Sequence, residues 1–310
     1  MNNQTGVKRE TRIITLLAET FLHPGTGQTT GVVDLPIQRE RHTNFPMIQS
    51  TGLKGSLRDL SEQKWGKGSK DIEVIFGPDA QGADSGAGAL AITDARILAY
   101  PVRSLQQVFV WITCPMVLRK LQRDLKLAGL PVTIPIKEAN SGSCKTTKTT
   151  NNKFEPPLVL EELSFDIETE RIDDIAQAIA GLCPGEIAAD LTNRLVLVND
   201  DDFKYLVTYA TQVSARIKLN ERKTTTGNGG NLWYEETLPP ETLMYALLLA
   251  QTPRIKNNGS GIADAKGVID KFTANNVGLF PNNQGYLQIG GNETVGQGWC
   301  SVRFSNGGAK

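Results

Sequence analysis

The chain has two histidines and four cysteines in 310 residues, and Cys114, Cys144, Cys183 and Cys300 form no Cys-x-x-Cys pair. Ligands at metal spacing are missing, which excludes a structural zinc site and a disulfide framework as organising devices. Lysine plus arginine and aspartate plus glutamate each count 33. No net field draws in a polyanion, so any RNA contact must come from locally placed cations. That balance speaks against a free-standing RNA binder and fits a subunit that packs against neighbours. No apolar run approaches the roughly 18 residues of a membrane span, and MNNQTGVKRE lacks the apolar segment of a secretory signal. The expected compartment is the cytoplasm, with no membrane partner. GGNETVGQG, 290–298, has four glycines but neither a Walker lysine nor the dinucleotide spacing.

What is present suits an ordinary globular core, since hydrophobic residues make up 39% of the chain. One domain over 1–310 is expected, because no second boundary stands out. After a frayed polar start, RIITLLAETFLH reads as a strand, and the tract Gly77 to Gly88 as a mobile turn before a strand Ala89–Ile97. Residues 107–113 read as a strand, with a helix from Pro115 to Gly129 whose Val117, Leu118, Leu121 and Leu125 share one face. Leu158–Ile167 is then expected as one strand and Ile172–Leu182 as a helix. Arg194–Val198 is a strand, Asp200–Gln212 a helix with an aspartate cap, and Val213–Leu219 a strand.

Residues 139–153, ANSGSCKTTKTTNNK, carry almost nothing apolar and are expected as a flexible surface loop. Residues 220–239 read as a projecting hairpin, a polar glycine-tipped turn flanked by β-formers. Thr242–Gln251 is apolar almost throughout and suits a buried strand, although periodicity alone also allows a helix. A weak helix at Ile262–Phe272 and strands at Tyr286–Ile289 and Trp299–Phe304 complete the chain. Strands alternating with helices, plus long insertions, point to an α+β sandwich of the split βαβ, ferredoxin-like kind.

Most of the candidate chemistry lies between His23 and Arg58. Leu53, Leu57 and Leu60 recur at helical spacing, and Ser50-Thr51-Gly52 supplies hydroxyls suited to an N-cap. Lys54 and Arg58 then fall near a helix start, where free N–H groups and the dipole favour a phosphate. Asp34 precedes Leu35-Pro36, which keeps its carboxylate on extended or looped chain; it serves either as a turn acceptor or as a catalytic acid. His23 is a candidate acid or base, or a hydrogen-bonded loop histidine. Arg39-Glu40-Arg41 is a charge run that suits a solvated face. Trp233 and Tyr234 could stack on bases or pack at the hairpin root.

HPGTGQTTGVVDLPIQRERHTNFP followed by LKGSLR, then LWYEETLP at 232–239 and GGNETVGQG, resembles the RAMP (repeat-associated mysterious protein) superfamily. Within it, the run resembles the backbone subunit of the type III-B CRISPR effector, the Cmr complex. The resemblance implies an RNA-recognition-motif-like palm with the 220–239 hairpin as its thumb. It also implies a CRISPR guide RNA, a complementary target RNA, further copies of the chain and other Cmr subunits as partners.

Asp34 matches the acid with which the family cuts target RNA, as a base or as the ligand of a divalent cation, magnesium or manganese; His23 is a second catalytic candidate. RNA contacts are expected from Ser50, Lys54, Gly55, Ser56, Arg58 and Arg39, from Gly290, Gly291, Gly296 and Gly298, and from Trp233. The sequence departs from many relatives at Gly52, where they carry a small hydroxyl residue, and at Gln297, where they often carry a cation. The alternatives are a non-catalytic RNA-binding scaffold of the same superfamily and the type III-A counterpart; GVVDLPIQRE and LWYEETLP favour the Cmr type.

Overall fold

The computed structural model describes residues 9–28, 31–78, 86–148, 154–224, 232–254, 259–275 and 278–306. The chain begins with β1 (Arg9–Ala18), β2 (Met47–Ile48), α1 (Ser50–Trp65) and α2 (Lys70–Phe76). It continues through β3 (Leu90–Ile92), β4 (Ala95–Arg103), β5 (Phe109–Thr113), α3 (Pro115–Leu127), β6 (Ser143–Thr146), β7 (Leu158–Leu160) and β8 (Leu163–Ile167). Next come α4 (Asp173–Ala180), α5 (Gly185–Arg194), β9 (Leu195–Val198), α6 (Asp200–Tyr209), β10 (Gln212–Ile217) and β11 (Leu232–Thr237). The described chain closes with β12 (Leu243–Gln251), α7 (Ala265–Thr273), β13 (Gln284–Gln288) and β14 (Trp299–Ser305).

Twelve strands form one sheet in the order β13-β14-β1-β12-β4-β5-β9-β6-β8-β7, with β2 added on β4 and β3 on β12. The pairings are antiparallel except β5 with β9 and β6 with β8. At its centre β1 runs against β12 from Arg9↔Gln251 to Leu17↔Leu243. Ile13, Ile14, Leu16, Leu17 and nearly all of Leu243–Ala250 are buried. A strand covered on both faces needs continuous rather than alternating hydrophobicity, which is why Thr242–Gln251 resolves as a strand. The helix α7 packs on β1 and β12, and α3 packs on β4. Val117, Leu118, Leu121 and Leu125 of α3 are buried, and Gly129, at φ 68°, follows its end.

Several sequence expectations are corrected here. The segment 139–153 is not simply a surface loop: β6 lies inside the sheet between β9 and β8, and Cys144, Lys145 and Thr146 are buried. Backbone pairing on both edges overrides the polar composition. The Lys145 ammonium is neutralised by Glu170 and by Glu168 at 3.3 Å, and the Thr146 hydroxyl accepts from Arg171 at 2.7 Å.

Leu158–Ile167 is a hairpin of β7 and β8 rather than one strand, because Glu161 turns the chain at φ 50°. Ala89–Ile97 is broken at Thr93-Asp94, and its second part continues to Arg103. The cap of α6 is Asn199, which accepts from the Asp202 N–H at 2.8 Å, not an aspartate. The helix α5 has no counterpart in the sequence reading. Residues 1–8, 79–85, 149–153 and 225–231, on which parts of these expectations fall, lie outside the described residues.

The strands β10 and β11 pair antiparallel as a separate two-stranded sheet, from Gln212↔Thr237 to Ile217↔Leu232. The expected hairpin therefore starts earlier than residue 220. It sets the candidate site, because the loop carrying Asp34 adds itself to the edge of β11.

Candidate functional site

Pro36 lacks an N–H and disfavours helix before it, so residues 34–39 run extended. Leu35 joins β11 in a parallel bridge to Glu235: its N–H donates to Tyr234 O at 3.0 Å and its carbonyl accepts from Glu236 N at 3.0 Å. Asp34 stands where this pairing begins. Its Oδ2 accepts the Tyr234 N–H at 2.7 Å, while Oδ1 has no partner among the described residues. The half-buried carboxylate is thus oriented through one oxygen.

His23 is 8% exposed, with Nδ1 at 2.7 Å from Glu236 O. A carbonyl oxygen only accepts, so Nδ1 carries the proton and a neutral ring keeps its lone pair on Nε2. A Cβ at Gly25 would come within 2.5 Å of that Nε2. The glycine turn closes over the same histidine. Gly291 N donates to His23 O at 3.1 Å, and a Cβ at Gly290 would sit 2.5 Å from that oxygen. Buried Glu235 completes the group: its Oε1 lies 3.9 Å from His23 Nδ1, its Oε2 lies 3.3 Å from Arg216 Nε, and Asn292 donates to it.

A cavity of about 310 Å³ joins these pieces, lined among others by His23, Gly25, Leu35, Gly52, Gly290 and Gly291. Three segments far apart in sequence meet there: the HPG loop, the start of α1 and the glycine turn. Along α1, Gly52 and Gly55 are exposed, and a Cβ at Gly55 would meet nothing within 4 Å. Ser56 and Lys54 are partly buried one turn in. Burial, and then the nearby Arg58 charge, lower the Lys54 ammonium below its ordinary value.

Other candidates stand elsewhere or are already engaged. Arg39 faces inward, with Nη2 on Glu236 Oε1 at 2.6 Å and Nη1 on Asn44 O and Val207 O at 2.9 and 3.0 Å. Arg58 pairs with Glu62 and donates to Gly77 O, each at 3.0 Å. Ser50 is not a cap: Gln49 holds that position with no side-chain bond, and the Ser50 N–H donates to Asp94 Oδ1 at 2.8 Å.

The N–H groups of Gly291, Gly296 and Gly298 are spent on His23 O, on Glu293 O within the turn and on Phe21 O, so three of the four glycines offer no N–H outward. Gly298, at φ 86°, is required by its approach to Ile289 O. Trp233 is half-buried beside Arg216 on the hairpin.

Sequence reasoning missed Glu235 as a partner of His23, Asn292, and Asp94 at the start of α1. Adjacent glutamates on a strand point to opposite faces. Both are buried here because His23 and Asn292 cover one and the 35–39 loop covers the other.

Among the described residues no three His, Cys, Asp or Glu side chains converge to hold a metal ion, and no helix is long and apolar enough to cross a membrane. The four cysteines are buried, and burial pushes the thiols of Cys144, Cys183 and Cys300 up to about 12.

A family model described as the RAMP superfamily matches residues 15–301. The chain is 38% identical over 305 residues to the CRISPR system Cmr endoribonuclease Cmr4 of Pyrococcus furiosus, covering 96% of this chain and 97% of that protein. It is 25% identical to the CRISPR system CMR subunit Cmr4 of Saccharolobus solfataricus, covering 93% and 94%. The fold superposes on the crystal structure of oligomeric Cmr4 from Pyrococcus furiosus with TM-score 0.70 at 32% identity, covering 96% of this chain and 98% of that one. A chain of the type III-B Cmr-beta complex bound to cognate target RNA shares the fold with TM-score 0.69 at 19% identity, covering 95% and 96%. The chain belongs to the RAMP superfamily, among the Cmr4 proteins.

Proposed function

We propose that the chain is the repeated backbone subunit of a type III-B CRISPR ribonucleoprotein. It binds guide RNA beside further copies of itself and other Cmr subunits, and cuts complementary target RNA in the cytoplasm. The relatives' names support the Cmr assignment over the type III-A counterpart. Base pairing supplies sequence recognition in such a machine, and the protein reads backbone and shape.

The observation that carries the cutting role is Asp34, a carboxylate steadied by the Tyr234 N–H at 2.7 Å, with no partner on its second oxygen among the described residues, at the joint of loop and hairpin. In the proposed reaction the 2′-hydroxyl of one target ribose attacks the adjacent phosphorus. Asp34 takes the hydroxyl proton, the P–O5′ bond breaks, and the products are a 2′,3′-cyclic phosphate and a 5′-hydroxyl whose proton comes from water. His23 holds a proton on Nδ1 and is bonded away from solvent, so its part is to fix the hairpin root against the glycine turn. Magnesium or manganese ions are commonly held by one or two carboxylates plus phosphate oxygens. Asp34 fits as the one protein ligand of such an ion, which would supply charge neutralisation at the phosphate.

The scaffold reading draws on the same bond, since Asp34 also ties its loop to Tyr234. Asp34→Asn separates the two readings, because it removes basicity but little volume. Cleavage in the assembled complex is expected to fall at least about a hundredfold, the scale of a lost general base, with guide and target affinity unchanged. Cutting near the wild-type rate would leave the scaffold.

A further inference from the structure

Residues 35, 37 and 39 are pinned by a single residue on the facing strand. Glu236 gives its backbone N–H to Leu35 O at 3.0 Å. Its Oε2 accepts the Ile37 N–H at 3.0 Å, and its Oε1 accepts Arg39 Nη2 at 2.6 Å and the Thr211 hydroxyl at 2.8 Å. Its own carbonyl takes the His23 ring N–H at 2.7 Å. Alternate residues of an extended segment share one side, so the Asp34 loop is fastened along one edge at every second residue. Arg39 carries the fastening onward to Asn44 and to Val207 at the end of α6.

Glu236 is 7% exposed. A buried carboxylate is costly unless its oxygens are fully bonded, and a fully bonded one fixes a single arrangement more sharply than an apolar side chain would. Nothing in the cutting chemistry calls for a charge at this place, because the carboxylate points at loop backbone, Arg39 and Thr211.

We infer that Glu236 is a positioning residue: it holds the Asp34 loop, the hairpin root and His23 as one body, so that the hairpin's seat on RNA sets where the Asp34 carboxylate lies. The inference rests on Asp34 acting at the scissile phosphate. A misplacement of about 1 Å costs on the order of a hundredfold in rate without any direct contact to the reacting atoms.

The test compares wild type, Glu236→Ala, Glu236→Gln and Asp34→Asn as full chains assembled with guide RNA. Three quantities are read: single-turnover cutting rate, target Kd, and hydrogen exchange of peptides spanning 33–39 and of β1 and β12. Glu236→Ala is expected to slow cutting about 10- to 100-fold with Kd unchanged within about twofold. The 33–39 amides exchange faster while β1 and β12 keep their protection.

Gln offers one acceptor oxygen in place of two and is expected to fall between Ala and wild type. Arg39→Ala added to Glu236→Ala costs little more than either alone, as coupled partners do. Wild-type cutting by Glu236→Ala with the 33–39 amides loosened would overturn the inference. So would loss of protection in β1 and β12 by both Glu236 variants, which marks a general structural role. If Asp34→Asn itself cuts at the wild-type rate, the Asp34 reading fails on its own, and the exchange of 33–39 still decides whether Glu236 holds the loop.

Discussion

The Ser50 N–H donates to Asp94 Oδ1 at 2.8 Å, so the first turn of α1 carries an anion supplied by the strand break between β3 and β4. A carboxylate there satisfies an orphan helix donor and complements the dipole. It also occupies the place where the sequence led us to expect a phosphate, so on the proposed function RNA would meet α1 along its exposed side, past Gly52 toward Lys54 and Gly55.

Lys54 and Arg58 should therefore separate. Lys54→Ala is expected to weaken guide RNA binding whatever its sequence and to reduce the log–log salt slope by about 0.7. Arg58→Ala should leave the slope unchanged and cost roughly 0.5–1.5 kcal/mol, through its bonds to Glu62 and Gly77. Binding titrations at several salt concentrations, with urea unfolding of each variant, would check both; a lower slope for Arg58→Ala would put that side chain on RNA instead.

Gly25 and Gly55 make a second contrast. A methyl at Gly25 would stand 2.5 Å from His23 Nε2, so Gly25→Ala must displace the ring, at about 1–3 kcal/mol, and should slow cutting. Gly55 lies inside a helix in open space, and Gly55→Ala should stabilise the isolated chain by about 0.5–1 kcal/mol. If RNA runs along that face, the same methyl weakens guide binding. Unchanged affinity would move the RNA off this side of α1.

The chemistry predicts a specific sensitivity of the target. A regular A-form strand does not align a 2′-hydroxyl with its neighbouring phosphate, so in the proposed reaction the hairpin displaces one nucleotide to bring the two into line. Targets carrying one 2′-deoxyribose each should lose the single cut beside that sugar and keep the others, as mapped on a sequencing gel. Cutting beside a deoxy residue would mean that water is the nucleophile.

Lys145 gives a pH prediction. Burial alone would lower its pKa, but pairing with Glu170 and Glu168 outweighs burial and leaves it raised above 10.5. The folded chain holds that proton more tightly than the unfolded chain, so the gain is full below the unfolded value and is lost as pH rises through the folded one. Lys145→Met should lower the urea midpoint by a constant amount between about pH 7 and pH 9. The gap to wild type should narrow above about pH 10.5. A gap that is the same at all pH values would assign the loss to packing.

The sequence by itself determined the elements whose signal is local. A run of β-forming residues marked β1, an apolar run marked 242–251 as a buried element without choosing strand over helix, helical patterns marked α3 and α4, and Pro36 kept Asp34 off a helix. It also brought the motifs from His23 to Arg58 into view, because loop chemistry is written in short runs. Only the tertiary structure decided what those residues do. Polar β6 enters the sheet because both its edges are paired, and Arg39 turns inward because Glu236, 197 residues away, neutralises it. Glu235 reaches His23 because the loop and β11 share an edge, and the Ser50 N–H at the start of α1 is satisfied by Asp94 rather than by the helix's own hydroxyls. In each case the deciding partner is distant in sequence, and a charge or donor has no preferred side until that partner is in place.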